Sequence, residues 1–170
     1  MASLMEDLLD VLGKEEAEYQ KLVEIAEQKR DAVIKGDIGQ LGEVTIQEQD
    51  AASELLNLSH KRTQVLTDMA VVLGKDPNEL TITKMIGYLE KQPTEQEKLT
   101  KQRDRLLEVG SQMRILNQQN ESLLKQALEM VEFDLTLLKS MRQAPETVNY
   151  DKNAYNTGDI LGSSGFDAKQ

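Results

Sequence analysis

The chain has 170 residues, with 30 acidic against 20 basic residues and a formal net charge of −10. This charge would repel the phosphate backbone of nucleic acids, so we expect no nucleic-acid partner. Cysteine is absent, which excludes disulfides and thiolate metal sites and is typical of cytoplasmic proteins. We expect no export signal, because the N-terminal sequence Met-Ala-Ser-Leu-Met-Glu-Asp has no basic stretch followed by an apolar core. We expect no membrane span, because no apolar run reaches about eighteen residues.

Two long helices are predicted first, joined by a short linker as an antiparallel hairpin. A capping-box pattern that begins at Ser3 predicts a helix from Leu4 onwards. Gly36 is a natural C-cap for this helix, and Asp37 can cap the second helix at once. Gly74 then predicts the end of the second helix.

Apolar residues recur at three- and four-residue steps along both predicted helices, as expected for helices that pack side by side. The predicted seam residues are Leu8, Leu12, Tyr19, Leu22, Ala26 and Val33 in the first helix, and Ile38, Leu41, Ala52, Leu55, Leu66, Met69 and Leu73 in the second. Polar residues interrupt these seams at Glu15 and Lys29, and at Thr45, Glu48, Ser59 and Arg62.

A short helix and then a long one are predicted in the second half of the chain. Thr81 to Leu89 has the spacing of two or three helical turns. A second capping box, Thr94 to Glu97, predicts a long helix without an internal proline as far as Pro145. The pattern thus predicts an all-α fold: an elongated antiparallel helical bundle or coiled coil of three long helices plus one short helix.

The composition changes after Pro145 to Asn, Gly, Ser, Asp and Tyr, with few residues that a core could bury. Such a segment cannot fold alone. We therefore predict a helical bundle domain over residues 1–144 and a flexible C-terminal tail over residues 145–170.

Residue patterns that support catalysis or cofactor binding are not found. His60 is the single histidine, and Asn57 stands where a di-iron Glu-x-x-His motif would need glutamate. The glycines at Gly158, Gly162 and Gly165 lack the strand, the Gly-Lys-Ser/Thr sequence and the helix of a phosphate-binding loop. We predict that the protein is not an enzyme and uses no cofactor or metal.

The most unusual segment of the long helix is Asn-Gln-Gln-Asn-Glu-Ser-Leu-Leu, which begins at Asn117 and ends at Leu124. Asn117 and Asn120 lie three residues apart on a stripe of Leu, Met, Ala and Val, where amides need hydrogen-bond partners. Two interpretations remain open. A buried asparagine can determine helix register at some cost in stability, or the amides can contact a partner protein.

The Asn-x-x-Asn-x-x-Leu-Leu run resembles the signature segment of the FlgN family of flagellar export chaperones. The length, the helix order and the low aromatic content agree with this family. Tyr150-Asp151-Lys152-Asn153 is also similar to the Tyr-Asp-x-x-Gly turn of the family, with Asn153 in the glycine position. Asparagine tolerates the left-handed conformation that glycine would supply.

The resemblance implies a cytoplasmic chaperone for hook-associated proteins, which form the junction between the flagellar hook and filament. It would accept their amphipathic terminal helices into a hydrophobic groove, prevent premature assembly and deliver them to the type III export apparatus. The alternative is a structural coiled-coil or scaffold protein that self-associates through the same stripes. Homo-oligomerisation through the long helix or the tail stays open.

The resemblance also implies that the client-binding region comprises the end of the long helix and the tail. The predicted partner-binding residues are Asn117, Asn120, Leu123, Leu124, Ala127, Leu128, Val131, Leu135, Leu138, Met141, Ile160, Leu161 and Phe166. The flexible methionines of this stripe, Met130 and Met141, suit a chaperone with more than one client. The last three residues are enough to cover a groove, so the tail either grips the client or competes with it.

Overall fold

The fold is taken from a computed structural model, which describes residues 1–147, with side chains through residue 142. It contains four helices: α1 at Ala2–Lys35, α2 at Ile38–Leu73, α3 at Ile82–Tyr88 and α4 at Pro93–Thr147. No strand occurs among these residues, and the predicted all-α class with three long helices and one short helix is confirmed. None of the described helices is long and apolar enough to cross a membrane.

The ends of the hairpin helices follow the predicted capping chemistry. Gly36 and Gly74 both adopt the left-handed conformation, with φ of 67° and 62°, which a residue with a side chain rarely tolerates. At the first of them, Gly36 N donates to Val33 O and Asp37 N donates to Ala32 O, which is a Schellman motif. Asp37 Oδ1 accepts a hydrogen bond from Gln40 N at 3.0 Å and caps α2.

Both predicted capping boxes are wrong. The first helix already includes Ser3, because α1 begins at Ala2 and its N-cap, Met1, makes no side-chain hydrogen bond. The last helix already includes Thr94, because α4 begins at Pro93. Proline is favoured at the first helical position, where its missing N–H costs nothing and its fixed φ is helical.

The seam predicted for α2 consists of two rows of residues, and the row through Ala52 is displaced by one residue from the face that is buried. Ala51 is buried and Ala52 is exposed, and Ile38 is exposed at the start of the helix. Val44 and Leu58 are buried one heptad before and one heptad after Ala51. A shift of one residue turns the buried face by about 100°, so the packing of neighbouring helices decides which edge is covered.

The chain divides into two compact units, Met1–Leu124 and Lys125–Gln170. The boundary predicted between residues 144 and 145 stays a prediction. In the first unit, two apolar clusters form the core. Cluster 1 contains Met5, Leu8, Leu12, Met69, Ala70, Leu80, Met85, Leu89 and Leu99. Cluster 2 contains Leu22, Ile25, Ala26, Val44, Ala51 and Met113.

In this first unit, α1 contributes to both clusters and contacts both α2 and α4. Residues early in α4 contact early residues of α1, and later residues contact later ones: Gln102 bonds to Glu16, and Asn120 bonds to Ala26. The α4 segment of the first unit therefore runs in the same direction as α1 and antiparallel to α2. In the second unit, the described residues continue the helix to Thr147.

Candidate protein-binding surface

The second unit carries a group of large apolar side chains that are exposed. They are Leu128, Met130, Val131, Phe133, Leu135, Leu137, Leu138 and Met141, which we call the α4 surface. Leu128 is 62% exposed and Leu135 is 51% exposed. Contiguous exposed apolar residues of this kind are uncommon on monomeric soluble proteins and typically mark a binding site.

Helical geometry places most of the α4 surface on one side of the helix. At 3.6 residues per turn, the members other than Phe133 fall within about half of the helix circumference. An apolar stripe somewhat more than 100° wide is enough for a helix to pack against a core. The α4 surface is therefore wide enough to receive at least one amphipathic helix of another protein.

The residues predicted for partner binding fall into three groups in the structure. Leu128, Val131, Leu135, Leu138 and Met141 are exposed members of the α4 surface, and Ala127 is half-buried in the same unit. Leu123 and Leu124 belong to the first unit, where both are half-buried. The predicted tail residues Ile160, Leu161 and Phe166 lie outside the described residues.

Two members of the α4 surface, Phe133 and Leu137, were not among the predicted site residues, and Met130 was predicted only as one of the flexible methionines of the stripe. Met130 and Leu137 lie one heptad apart and form one edge of the stripe. A heptad count continued from Leu116 and Leu123 would have reached both of them. The predicted site residues instead followed the rest of the stripe, through Leu128, Val131 and Leu135.

Asn117 and Asn120 have different environments. Asn120 is 4% exposed, and its Nδ2 donates a hydrogen bond to the carbonyl oxygen of Ala26 in α1 at 2.8 Å. The Asn117 side chain is exposed. A buried amide that bonds to one particular backbone carbonyl favours a single register of α4 against α1, because sliding the helix would leave the amide unpaired. Asn117 is the more accessible of the two to a partner.

The contrast between the two asparagines predicts different costs of substitution. Asn120→Ala should lower the free energy of unfolding by about 1–2 kcal/mol, because it removes a buried hydrogen bond and leaves a small void. Asn117→Ala, the matched control one turn away, should change it by no more than about 0.5 kcal/mol. Urea unfolding followed by circular dichroism measures both. Equal effects of the two substitutions would show that the Asn120 bond does not stabilise the bundle.

Buried polar side chains separate the two apolar clusters in the first unit. Glu15 in α1 is 2% exposed, and its Oε2 lies 2.8 Å from Nη1 of Arg62 in α2. Burial raises the pKa of the Glu15 carboxyl above its usual value, and the Arg62 guanidinium opposes this effect. The pair therefore holds one ionisable carboxyl in the core at a cost in desolvation, which the cation offsets.

Gln102 of α4 contacts α1 at Glu16, the residue next to Glu15. Its Nε2 donates to Glu16 Oε2 at 2.6 Å, and its Oε1 accepts from Arg105 Nη2 at 2.7 Å. Arg105 Nε also lies 3.5 Å from Glu16 Oε2. We call Glu15, Glu16, Arg62, Gln102 and Arg105 the polar layer. It connects α1 to α2 and to α4 and makes the alignment of the three helices specific.

A second ion pair joins α1 to α2. It lies at positions where polar residues were predicted to interrupt the apolar seams. Lys29 Nζ lies 2.9 Å from Glu48 Oε2. Glu15 and Lys29 are two heptads apart in α1, and Glu48 and Arg62 are two heptads apart in α2. The charged residues that interrupt the two seams therefore form pairs of opposite charge across the antiparallel hairpin. This matched spacing and charge is the sequence signal that would have identified the pairs.

Among the described residues, no group of three or more His, Cys, Asp or Glu side chains is arranged to hold a metal ion. Over the residues that the structure describes, the chain is thus helical apart from its short connections, and the α4 surface is an exposed apolar surface of the kind that can bind other proteins.

The sequence model of the FlgN family, described as FlgN protein, matches residues 1–158. The chain therefore belongs to the FlgN family, as the Asn-x-x-Asn-x-x-Leu-Leu run and the helix order predicted. This is a family of flagellar export chaperones, which gives the chain the general role of a chaperone. Comparisons with curated proteins and with solved structures gave no match.

Proposed function

We propose that this protein is a cytoplasmic type III export chaperone for flagellar hook-associated proteins. It binds their amphipathic terminal helices, prevents premature assembly and delivers them to the export apparatus. The observation that supports this proposal is the exposure of the α4 surface along a single helix. A helix with a free apolar stripe is complementary to an amphipathic helix, and the two bury their apolar faces against each other.

The composition of the α4 surface supports binding of more than one client. Met130 and Met141 are exposed on it, together with branched residues such as Leu135. Methionine is unbranched and can adapt to apolar surfaces of different shape, which is why it is frequent on promiscuous binding surfaces. Asn117, whose side chain is exposed in the first unit, is proposed as a polar contact to the same clients.

The proposal is tested by titrating purified hook-associated proteins into the full chain in a calorimeter. We expect a saturable interaction, with a dissociation constant on the order of a micromolar or tighter. The matched control is the same hook-associated protein without its terminal helices, which should not bind. Equal binding of both forms would contradict the proposed recognition of terminal helices.

Self-association is the competing explanation for an exposed apolar stripe. A coiled-coil scaffold would use the α4 surface to contact another copy of itself. Sedimentation of the chain alone and with a client separates the two: a chaperone should form a complex of defined stoichiometry with the client. Oligomers of the chain that persist and exclude the client would favour the scaffold.

A further inference from the structure

Asp134 occupies an unusual position on the α4 surface. The residues three and four positions before and after it, which are its neighbours on a helix, are Met130, Val131, Leu137 and Leu138. All four are apolar and exposed. Among the charged residues of the second unit whose side chains are described, Asp134 alone has four apolar neighbours of this kind. It therefore lies inside the apolar stripe rather than at its border.

The Asp134 carboxylate forms no salt bridge with any of the residues whose side chains the structure describes. Arg142 also falls within the arc of the stripe, but two turns away, and its long side chain can reach the rim of a contact. Aspartate is too short to do so. Any helix that covers the stripe will therefore remove the Asp134 carboxylate from water.

The cost of that burial depends on what the partner presents. An entirely apolar partner face would leave a desolvated carboxylate unpaired, which is strongly unfavourable. A partner helix with one arginine or lysine in its apolar face would pair with the carboxylate. From this we propose that Asp134 selects, among amphipathic helices, those that carry a basic residue within the apolar stripe. This inference rests on the proposed function and specifies the chemistry of the client.

The same carboxylate acts against association of the chain with itself. Two copies of the α4 surface packed in register would bring two Asp134 carboxylates together, and like charges at a contact disfavour it. A charge within an apolar seam is a known means of rejecting wrong partners. Asp134 therefore keeps the stripe available for a client whose charge is complementary.

The test uses two synthetic amphipathic peptides of about 21 residues, long enough to span the stripe at 1.5 Å per residue. One has leucine at every position of its apolar face, and the other has a single arginine at the centre of that face. Fluorescence anisotropy measures binding of each peptide to the full chain. We expect the arginine peptide to bind at least about tenfold more tightly than the leucine peptide.

The same measurement on Asp134→Leu should reverse this preference, and sedimentation should show more self-association of that variant. The matched control is Glu129→Leu, which removes an exposed acidic residue from the polar side of the same helix and should keep the preference. The inference is overturned if the leucine peptide binds as tightly as the arginine peptide, if neither binds, or if Asp134→Leu retains the preference for arginine.

Failure of this inference can be distinguished from failure of the proposed function. Hook-associated proteins that bind the chain through their terminal helices, with no arginine preference in the peptides, would overturn the inference and leave the proposed function intact. An arginine preference that depends on Asp134, without binding of hook-associated proteins, would support the inference and contradict the proposed clients.

Discussion

Replacing Leu128 and Leu135 with aspartate should weaken binding of a hook-associated protein by at least about 100-fold, because each leucine buried by a client stabilises the complex by about 1.5–3 kcal/mol. Each new carboxylate would also be desolvated in the complex without a partner. Both residues are exposed in the chain alone, so the folded state should lose little. Calorimetry with a hook-associated protein measures the affinity.

The first unit offers a matched control for this double variant. Leu56 is 60% exposed and Leu107 is 64% exposed, so they resemble Leu128 and Leu135 in size and accessibility. Leu56→Asp with Leu107→Asp introduces the same two charges outside the α4 surface and should leave the affinity unchanged. If both double variants lose binding equally, general acidity rather than the α4 surface is responsible. Full affinity in the Leu128 and Leu135 variant would remove the α4 surface from the proposal.

Replacing Arg62 with methionine should destabilise the first unit by about 2–4 kcal/mol near neutral pH. The substitution retains an apolar chain of similar length but removes the cation 2.8 Å from Glu15. Glu15 is 2% exposed and has no other ion-pair partner among the described residues. Its carboxylate would then be buried without compensation. Urea unfolding at neutral pH measures the loss.

The loss should depend on pH in a predictable direction. Burial already raises the pKa of Glu15 in the folded chain, so its contribution to stability is greatest below its unfolded-state pKa. That contribution is lost as pH rises through the folded-state pKa. Arg62 lowers this pKa, so its removal should raise it further. The difference between parent and Arg62→Met should therefore shrink as pH falls from about 7 to about 5, because protonation neutralises the buried group.

Two further variants show whether the buried charge is the cause. Lys14→Met removes the cation of an exposed pair with Asp10, one residue from Glu15, and should cause little change at either pH. Glu15→Met combined with Arg62→Met removes both charges and should recover most of the lost stability, because an apolar pair can replace a buried ion pair. A double variant as unstable as Arg62→Met would show that packing of the arginine, not the charge, matters.

Part of the binding surface was predictable from sequence, and part was not. The stripe through Leu128, Val131 and Leu135 follows from helical periodicity, which is a local property of the chain. Its exposure does not follow, because the same pattern describes a helix that is buried against neighbours. Phe133 and Leu137 were missed because an apolar pattern this wide contains more than one seam. The sequence alone does not determine which edge of the stripe a partner would cover.

The sequence by itself determined the helices and several of their ends. Gly36, Asp37 and Gly74 act through their own backbone conformation or through contacts within one turn, so their effect needs no knowledge of the rest of the fold. The short amide-rich run that begins at Asn117, together with the length and the helix order, likewise indicated the FlgN family, which the family match confirmed.

Tertiary structure alone decided which residues meet. Asn117 and Asn120 are equivalent in sequence terms, yet only Asn120 is buried and bonds to Ala26, a residue 94 positions away. Glu15 pairs with Arg62 across 47 positions. A helix turns by about 100° per residue, so periodicity defines a face but leaves its orientation uncertain by one position. That orientation depends on how three helices pack at once, and it determines which polar residues find partners in the core.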